Sequence, residues 1–236
     1  MKIKLSIRMQ MNANLVPDGA RVADIGCDHG YVAMWLAKEK KCPVVIASDV
    51  NAGPLKRAEK NIKEAKLDDL IETRLSDGFS AISPGEVDTA VIAGMGGMLM
   101  CEILSGGIDV IKDMKCLVLQ PQSDIGAVRR HIHRIGWHID RESICLEDGK
   151  YYFSIRALPG EEEIPYSDAE YEHSRYLSNE GSRVYINYTK SIIKKYEDIL
   201  MSALNVAPEF ETEELKQRKE EIIKNVESFK KMINKL

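Results

Sequence analysis

The sequence predicts a parallel α/β sheet covered by helices on both faces, closed by an antiparallel hairpin and followed by a separate helical pair. Three observations lead there. Through residue 160, apolar runs without polar alternation alternate with helix-like stretches, the pattern of a sheet buried on both faces. Asp148-Gly149 joins two longer strand-like runs, a strong hairpin turn signal. Beyond Glu161-Glu162-Glu163-Ile164-Pro165, acidic and then broken by proline, apolar residues recur at steps of three and four in highly charged sequence. Two domains are therefore expected, at residues 1–160 and 161–236.

Within the first domain, strands are expected at 21–26, 43–49, 71–76, 87–93 and 115–120. Helices are expected at 31–39, 53–65, 98–104 and 125–135, and the hairpin at 137–147 and 150–158. In the second domain, Tyr185, Tyr188, Ile192, Tyr196, Ile199 and Ala203 mark one apolar seam. Residues 205–211, with Pro208, interrupt it. Thr212 is a plausible N-cap, and Leu215, Ile222, Val226, Phe229, Ile233 and Leu236 mark a second seam. Two such helices form a coiled-coil-like antiparallel hairpin whose seams bury one another, or a solvated appendage that only stabilises the first domain.

Composition narrows the function. The chain has 236 residues, 44% hydrophobic and 30% charged, and no apolar run long enough to span a membrane. Met1–Arg8 scatters charges where a secretory signal would be apolar. The five cysteines form no CxxC pair and no zinc-finger spacing, so reduced thiols, no metal site and a cytoplasmic location are expected. Net charge is −4; residues 1–160 carry 21 Lys+Arg against 21 Asp+Glu, and residues 161–236 carry 12 against 16. A nucleic-acid binder usually shows a basic excess, so the overall balance argues mildly against one.

The motifs cluster at predicted strand ends. Asp24-Ile25-Gly26 ends the first strand, and Gly30 stands where the following helix begins. A dinucleotide site would place GxGxxG here to receive a pyrophosphate on the helix N-terminus. Instead the middle is Cys27-Asp28-His29, with a carboxylate where a phosphate would sit, an electrostatic cost of several kcal/mol in a partly dry crevice. S-adenosylmethionine carries no phosphate and two cationic centres, so it suits this turn. Asp49 ends the second strand, where an acid accepts from ribose hydroxyls or merely caps a helix. Asp77-Gly78 ends the third, where it accepts from an adenine amine or forms a common turn. Gly94-Met95-Gly96-Gly97 ends the fourth, more glycine than a tight turn requires. The Asn/Asp-Pro-Pro-aromatic motif of amino-group methyltransferases is absent, which favours a ring nitrogen as the target.

Taken in order, Asp24-Ile25-Gly26-x-Asp28-His29, Gly53-Pro54 with Arg57-Ala58, Arg74-Leu75-Ser76-Asp77-Gly78, Ala93-Gly94-Met95-Gly96-Gly97, Gln120-Pro121 and the early Leu5-Ser6-x-Arg8 resemble the bacterial tRNA (adenine-22-N1)-methyltransferase family. The resemblance spans nearly the whole chain. One departure is Gly30-Tyr31-Val32-Ala33, where the family more often has Ala-Tyr-Leu-Pro. The resemblance implies a class I methyltransferase sheet of Rossmann-like topology with a C-terminal coiled-coil-like domain. It implies methyl transfer from S-adenosylmethionine to N1 of an adenine in the D-arm region of tRNA.

On that reading Asp24, Gly26, Asp28, His29, Gly30, Asp49, Asp77, Gly78 and Gly94 hold the cofactor. Arg8, Tyr31, Met95, Gly96 and Gly97 meet the substrate, and Asp28 is the candidate catalytic carboxylate that relieves positive charge after transfer, or it only holds the cofactor. Tyr31 would stack on a base or lie in the core, and His29 is more simply a hydrogen-bonded turn residue than an acid–base group. Lys2, Lys4, Arg8 and the Arg129-Arg130-His131-x-His133-Arg134 run are the candidate basic contacts; for the last, a solvated helix face is the simpler reading. The alternatives are a methyltransferase for a small molecule or protein, and a non-catalytic S-adenosylmethionine binder. The sequence is silent on oligomeric state.

Overall fold

The structure, a computed structural model, describes residues 3–204 and 212–233. The expected break at 205–211, Lys2 and Leu236 lie outside the described residues. The chain forms two compact units, Met1–Pro165 and Tyr166–Leu236.

The first unit contains α1 (Ile7–Leu15), β1 (Arg21–Ile25), α2 (Tyr31–Glu39), β2 (Val44–Asp49), α3 (Ala52–Ala65), β3 (Ile71–Leu75), β4 (Thr89–Met95), α4 (Gly97–Gly106), α5 (Ile108–Ile111), β5 (Cys116–Pro121), α6 (Ile125–Arg134), β6 (Trp137–Glu147) and β7 (Lys150–Pro159). The strand order is β3-β2-β1-β4-β5-β7-β6. β1 to β5 run parallel. β7 runs antiparallel to both β5 and β6, so the second strand of the hairpin joins the sheet and the first becomes its edge.

The covering helices follow from the sequence. α2 buries Val32, Ala33, Met34, Leu36 and Ala37. Each large apolar side chain buried this way contributes about 1.5–3 kcal/mol. β4 begins at Thr89, two residues later than the pattern suggests, and continues through Met95. Its pairing with β5 shifts register between Ala93 and Met95. Gly94 is the residue at this irregularity, with φ +80°, a conformation that side-chain-bearing residues rarely adopt.

Helix α1 has only a weak amphipathic pattern and was no part of the sequence expectation. Ser6 caps it by accepting from Met9 N at 3.3 Å. Glu147, at the end of β6, adds a second cap: Oε1 accepts from Ile7 N at 2.6 Å and from Arg8 N at 3.4 Å, and Oε2 accepts from Ser6 Oγ at 3.1 Å. The other end of the helix buries Asn12, Ala13 and Leu15, with Asn12 hydrogen-bonded to Ser154 of β7. Tertiary docking therefore makes this helix.

The second unit holds α7 (Asp168–His173), α8 (Arg175–Glu180), α9 (Arg183–Leu204) and α10 (Glu213–Ile233). Ser167 and Glu170 form a capping box. The Arg175 guanidinium hydrogen-bonds Glu170 at 2.7 Å and holds its carboxyl down at about 2. Ile193, Ile222, Val226 and Phe229 form the buried seam of α9 and α10, with Ile192, Tyr196 and Leu200 packed against it. This corrects one expected seam position: Ile199 is 39% exposed, and the neighbouring Ile193 and Leu200 face α10 instead. Tyr185 is fully buried, but its hydroxyl donates to the carbonyl of His173, the last residue of α7.

Candidate active-site cleft

The chain order reverses between β1 and β4, and at such a switch point the helices diverge and open a crevice beyond the carboxyl ends of the strands. A cleft of about 450 Å³ lies there, within the size range of small-molecule sites. Asp24 and Gly26 line it from β1 and its turn, and Asp28 from the following loop. Asp49 and Asn51 line it after β2, Ser76, Asp77 and Gly78 after β3, and Gly94 and Met95 from β4. The structure thus brings together most of the acids and glycines read from the sequence.

Asp24 is 4% exposed and Oδ2 accepts from Ala33 N at 3.2 Å. Because Gly30, the N-cap of α2, has no side chain, this strand carboxylate satisfies an N–H of the first turn in its place. Burial pushes its pKa up to about 7, the Ala33 hydrogen bond opposes that rise, and the neighbouring Asp49 charge adds to it. Asp49 is 7% exposed; Oδ1 accepts from Asn51 N at 2.8 Å and Oδ2 from Asp28 N at 3.2 Å. These two bonds fix its orientation while leaving lone pairs toward the cleft. Neither acid is in an ion pair among the described residues. Two buried carboxylates without a cation are costly, and a cationic ligand would relieve that cost.

Asp28 differs. Its side chain is 61% exposed, with Oδ1 3.7 Å from both Arg57 Nη2 and His29 Nε2. Solvent and two basic neighbours therefore screen its charge. Asp77 is exposed at the rim, on a turn that Ser76 ties down by donating to the Gly78 carbonyl at 2.9 Å and accepting from Ala81 N at 3.0 Å. The Met95 side chain lies over Gly26, its methyl carbon 2.2 Å from where a Cβ on Gly26 would stand.

Not every expected residue lines the cleft. His29 and Tyr31 lie beside it, their rings 5.9 Å apart and stacked. Gly96 and Gly97 are not among the lining residues, and Gly97 serves packing: a Cβ on it would stand 2.4 Å from the Ser123 carbonyl oxygen, so the start of α4 meets the 121–124 loop too closely for a side chain there. The arginine run on α6 does not form one basic face. Arg129 is buried at 1% exposure, donating from Nε to Glu142 Oε1 at 2.8 Å, and His133 pairs with Glu162 at 3.2 Å.

Arg8 lines the cleft from α1. Its Nη1 donates to Gln120 Oε1 at 3.1 Å, and its guanidinium lies 5.1 Å from the Tyr152 ring centroid. Gln120, fully buried, donates in turn to the Pro121 carbonyl at 3.1 Å. A Cβ on Gly94 would stand 3.4 Å from Arg8 Nη1, so the guanidinium reaches the β4 strand end. The sequence reading missed Asn12, Ser76, Leu99, Ile103 and Gln122 as lining residues. Gln122 had a signal, since it follows Gln120-Pro121 at a strand end; the α1 and α4 contributions had none.

The model of the methyltransferase domain family matches residues 5–155. A Bacillus subtilis tRNA (adenine(22)-N(1))-methyltransferase is 31% identical over 244 aligned residues, covering 99% of this chain and 98% of that protein. The chain belongs to the tRNA (adenine-22-N1)-methyltransferase family. Among solved structures, the B. subtilis M1A22 tRNA methyltransferase TrmK is 30% identical with a TM-score of 0.88, covering 98% of this chain and all of that one. A Streptococcus pneumoniae relative, Sp1610, described as a putative tRNA (m1A22) methyltransferase, was solved in complex with S-adenosyl-L-methionine. It is 27% identical with a TM-score of 0.86, covering 98% of this chain and 100% of that one. Its sheet makes this family member a Rossmann-like class I methyltransferase. No helix among the described residues is long and apolar enough to cross a membrane, and no group of three potential metal ligands occurs among them.

Proposed function

We propose that this chain methylates N1 of adenine 22 in tRNA, using S-adenosylmethionine, in the cytoplasm. The full-length similarity to a tRNA (adenine(22)-N(1))-methyltransferase supports the substrate. The observation that carries the cofactor is the pair of buried carboxylates outside any ion pair, Asp24 and Asp49, in the cleft at the sheet's switch point. They fit a cationic ligand with ribose hydroxyls and repel a pyrophosphate. S-adenosylmethionine supplies an activated methyl group on its sulfonium.

The residues divide by chemistry. Asp24 would balance a cationic amino group, Asp49 would accept from the ribose hydroxyls, and Asp77 with Gly78 would serve the adenine. Asp28, whose main-chain N–H steadies Asp49, is assigned to shaping the cofactor side of the cleft. No residue needs to remove a proton before attack, because adenine N1 offers a free lone pair. Catalysis is then mainly the holding of two reactants in line. Arg8, fixed by Gln120 and Tyr152, meets the incoming nucleotide beside Gly94.

The test is incubation of purified protein with labelled S-adenosylmethionine and unmodified tRNA, followed by digestion and mapping of the label. Label in 1-methyladenosine at position 22 is expected. Confirmed cofactor binding with label in a small molecule or protein instead would replace this reading with another methyltransferase; no label transfer at all would leave a binder.

A further inference from the structure

We propose that Met98 and Leu99, in the first turn of α4, form an apolar wedge that fills the gap in the tRNA stack when the target adenine enters the cleft. The proposal rests on the reading above, that the acceptor is an adenine N1 in tRNA. N1 lies on the Watson–Crick edge, so the base must leave its stack before the cleft can receive it. A vacated stack is costly, and proteins that distort nucleic acids insert Leu, Ile, Met or Phe side chains at such steps.

The first turn of α4 suits that task in position, chemistry and stiffness. It follows directly on Gly94-Met95-Gly96, so it stands where the β4 strand end opens. Leu99 lines the cleft itself and is 50% exposed, and Met98 beside it is 56% exposed. The same helix is anchored through its other face, where Met100 and Leu104 are fully buried. Met98 and Leu99 therefore add little to the core, and a solvated face would ordinarily carry polar residues at these places. A wedge must also resist being pushed aside, and the start of the helix packs so closely on the 121–124 loop that a Cβ on Gly97 would collide with the Ser123 carbonyl, while Gly97 N donates to Ser123 Oγ at 3.4 Å. Arg8 lines the same cleft from α1, its Nε 3.9 Å from Glu147, and is the cation placed to meet a phosphate of the extruded nucleotide.

The test uses full-length protein and full-length tRNA carrying 2-aminopurine at position 22, whose fluorescence rises when it leaves the stack. Wild-type protein with S-adenosylhomocysteine should raise the fluorescence. The exposed-site double variant Met98→Ala/Leu99→Ala should bind the tRNA within about threefold of wild type, as rim contacts do, yet give little rise. Its methylation of unmodified tRNA should fall by about tenfold or more when measured at saturating cofactor, the condition that sets aside any change in cofactor affinity from Leu99. A tRNA with an abasic site opposite adenine 22 should recover much of that loss.

A fluorescence rise equal to wild type in the variant overturns the proposal, as does no rise with wild type that is active. Loss of tRNA binding altogether also overturns it, because the two side chains would then be a docking surface. If wild-type protein forms no 1-methyladenosine at position 22, the functional reading itself has failed, a result distinct from all of these.

Discussion

Glu147 Oε1 accepts a 2.6 Å hydrogen bond from the main chain of Ile7, a residue 140 positions away. With its bonds to Ser6 Oγ and Arg8 N, this one carboxylate holds the N-terminus of α1 against the tip of the β6–β7 hairpin. It thereby decides where Arg8 stands, and Arg8 is the cation that α1 brings to the cleft.

Replacing Glu147 by Ala should cost about 0.5–2 kcal/mol, the range for losing a helix cap. The loss should be local. Hydrogen exchange over α1 should quicken well before the central strands respond, and tRNA methylation should weaken more than cofactor binding. Unchanged exchange in α1 would mean that Ser6 and the buried Asn12 suffice.

Asp24 should make cofactor binding pH-dependent. Its folded pKa is about 7 against 3.8 for an unperturbed group, so between those values the folded protein holds a proton that the unfolded chain has released. The contribution of Asp24 to stability without ligand should therefore be greatest below the lower value, fall as pH rises towards about 7, and level off above it. A cation bound beside Asp24 favours the ionised form, so affinity for S-adenosylmethionine should rise between pH 6 and 8. Binding at pH 6 should release protons, read by calorimetry in buffers of different ionisation enthalpy. Asp24→Asn should abolish both signals and weaken binding. A pH-independent affinity in the wild type would remove Asp24 from the cation's neighbourhood.

Gly97→Ala tests the contact between α4 and the 121–124 loop. The added Cβ would meet the Ser123 carbonyl at 2.4 Å and the Asp124 carbonyl at 2.9 Å, both backbone atoms. Overpacking against backbone should cost about 1–3 kcal/mol. Activity should drop further than stability, since Gly94 and Met95 are moved with it. Urea denaturation and initial-rate measurements separate the two effects.

The Arg129–Glu142 pair, 1% and 0% exposed, joins α6 to β6. Arg129→Ala should cost about 3–5 kcal/mol, because it removes the cationic member of a buried ion pair. Arg129→Met combined with Glu142→Leu should recover most of that loss. A double variant as unstable as the single one would show that the site demands charge.

Much of this architecture was legible before any coordinates. The unalternating apolar runs of β1, β2, β4 and β5 gave strands because a sheet covered on both faces needs them. Asp148-Gly149 placed the hairpin turn. Asp24, Asp49, Asp77 and the glycines marked the strand ends where a crevice had to form. Less legible were features that depend on distant partners. α1 lacks a strong period of its own, and Ile199 lost its expected place in the seam to its neighbours Ile193 and Leu200.

By itself the sequence determined the parallel sheet with its closing hairpin, the helical second unit and the acidic residues at the strand ends. All of these are carried by short-range pattern and residue type. Tertiary structure alone decided that β7 lies between β5 and β6, that Glu147 caps α1, and that Arg8 reaches the cleft through Gln120 and Tyr152. It also separated Asp24, buried and uncompensated, from Asp28, exposed beside two basic groups. The physical reason is common to these cases. A charge's energy and a weak helix's existence depend on surroundings that pattern along the chain does not contain, and folding supplies them.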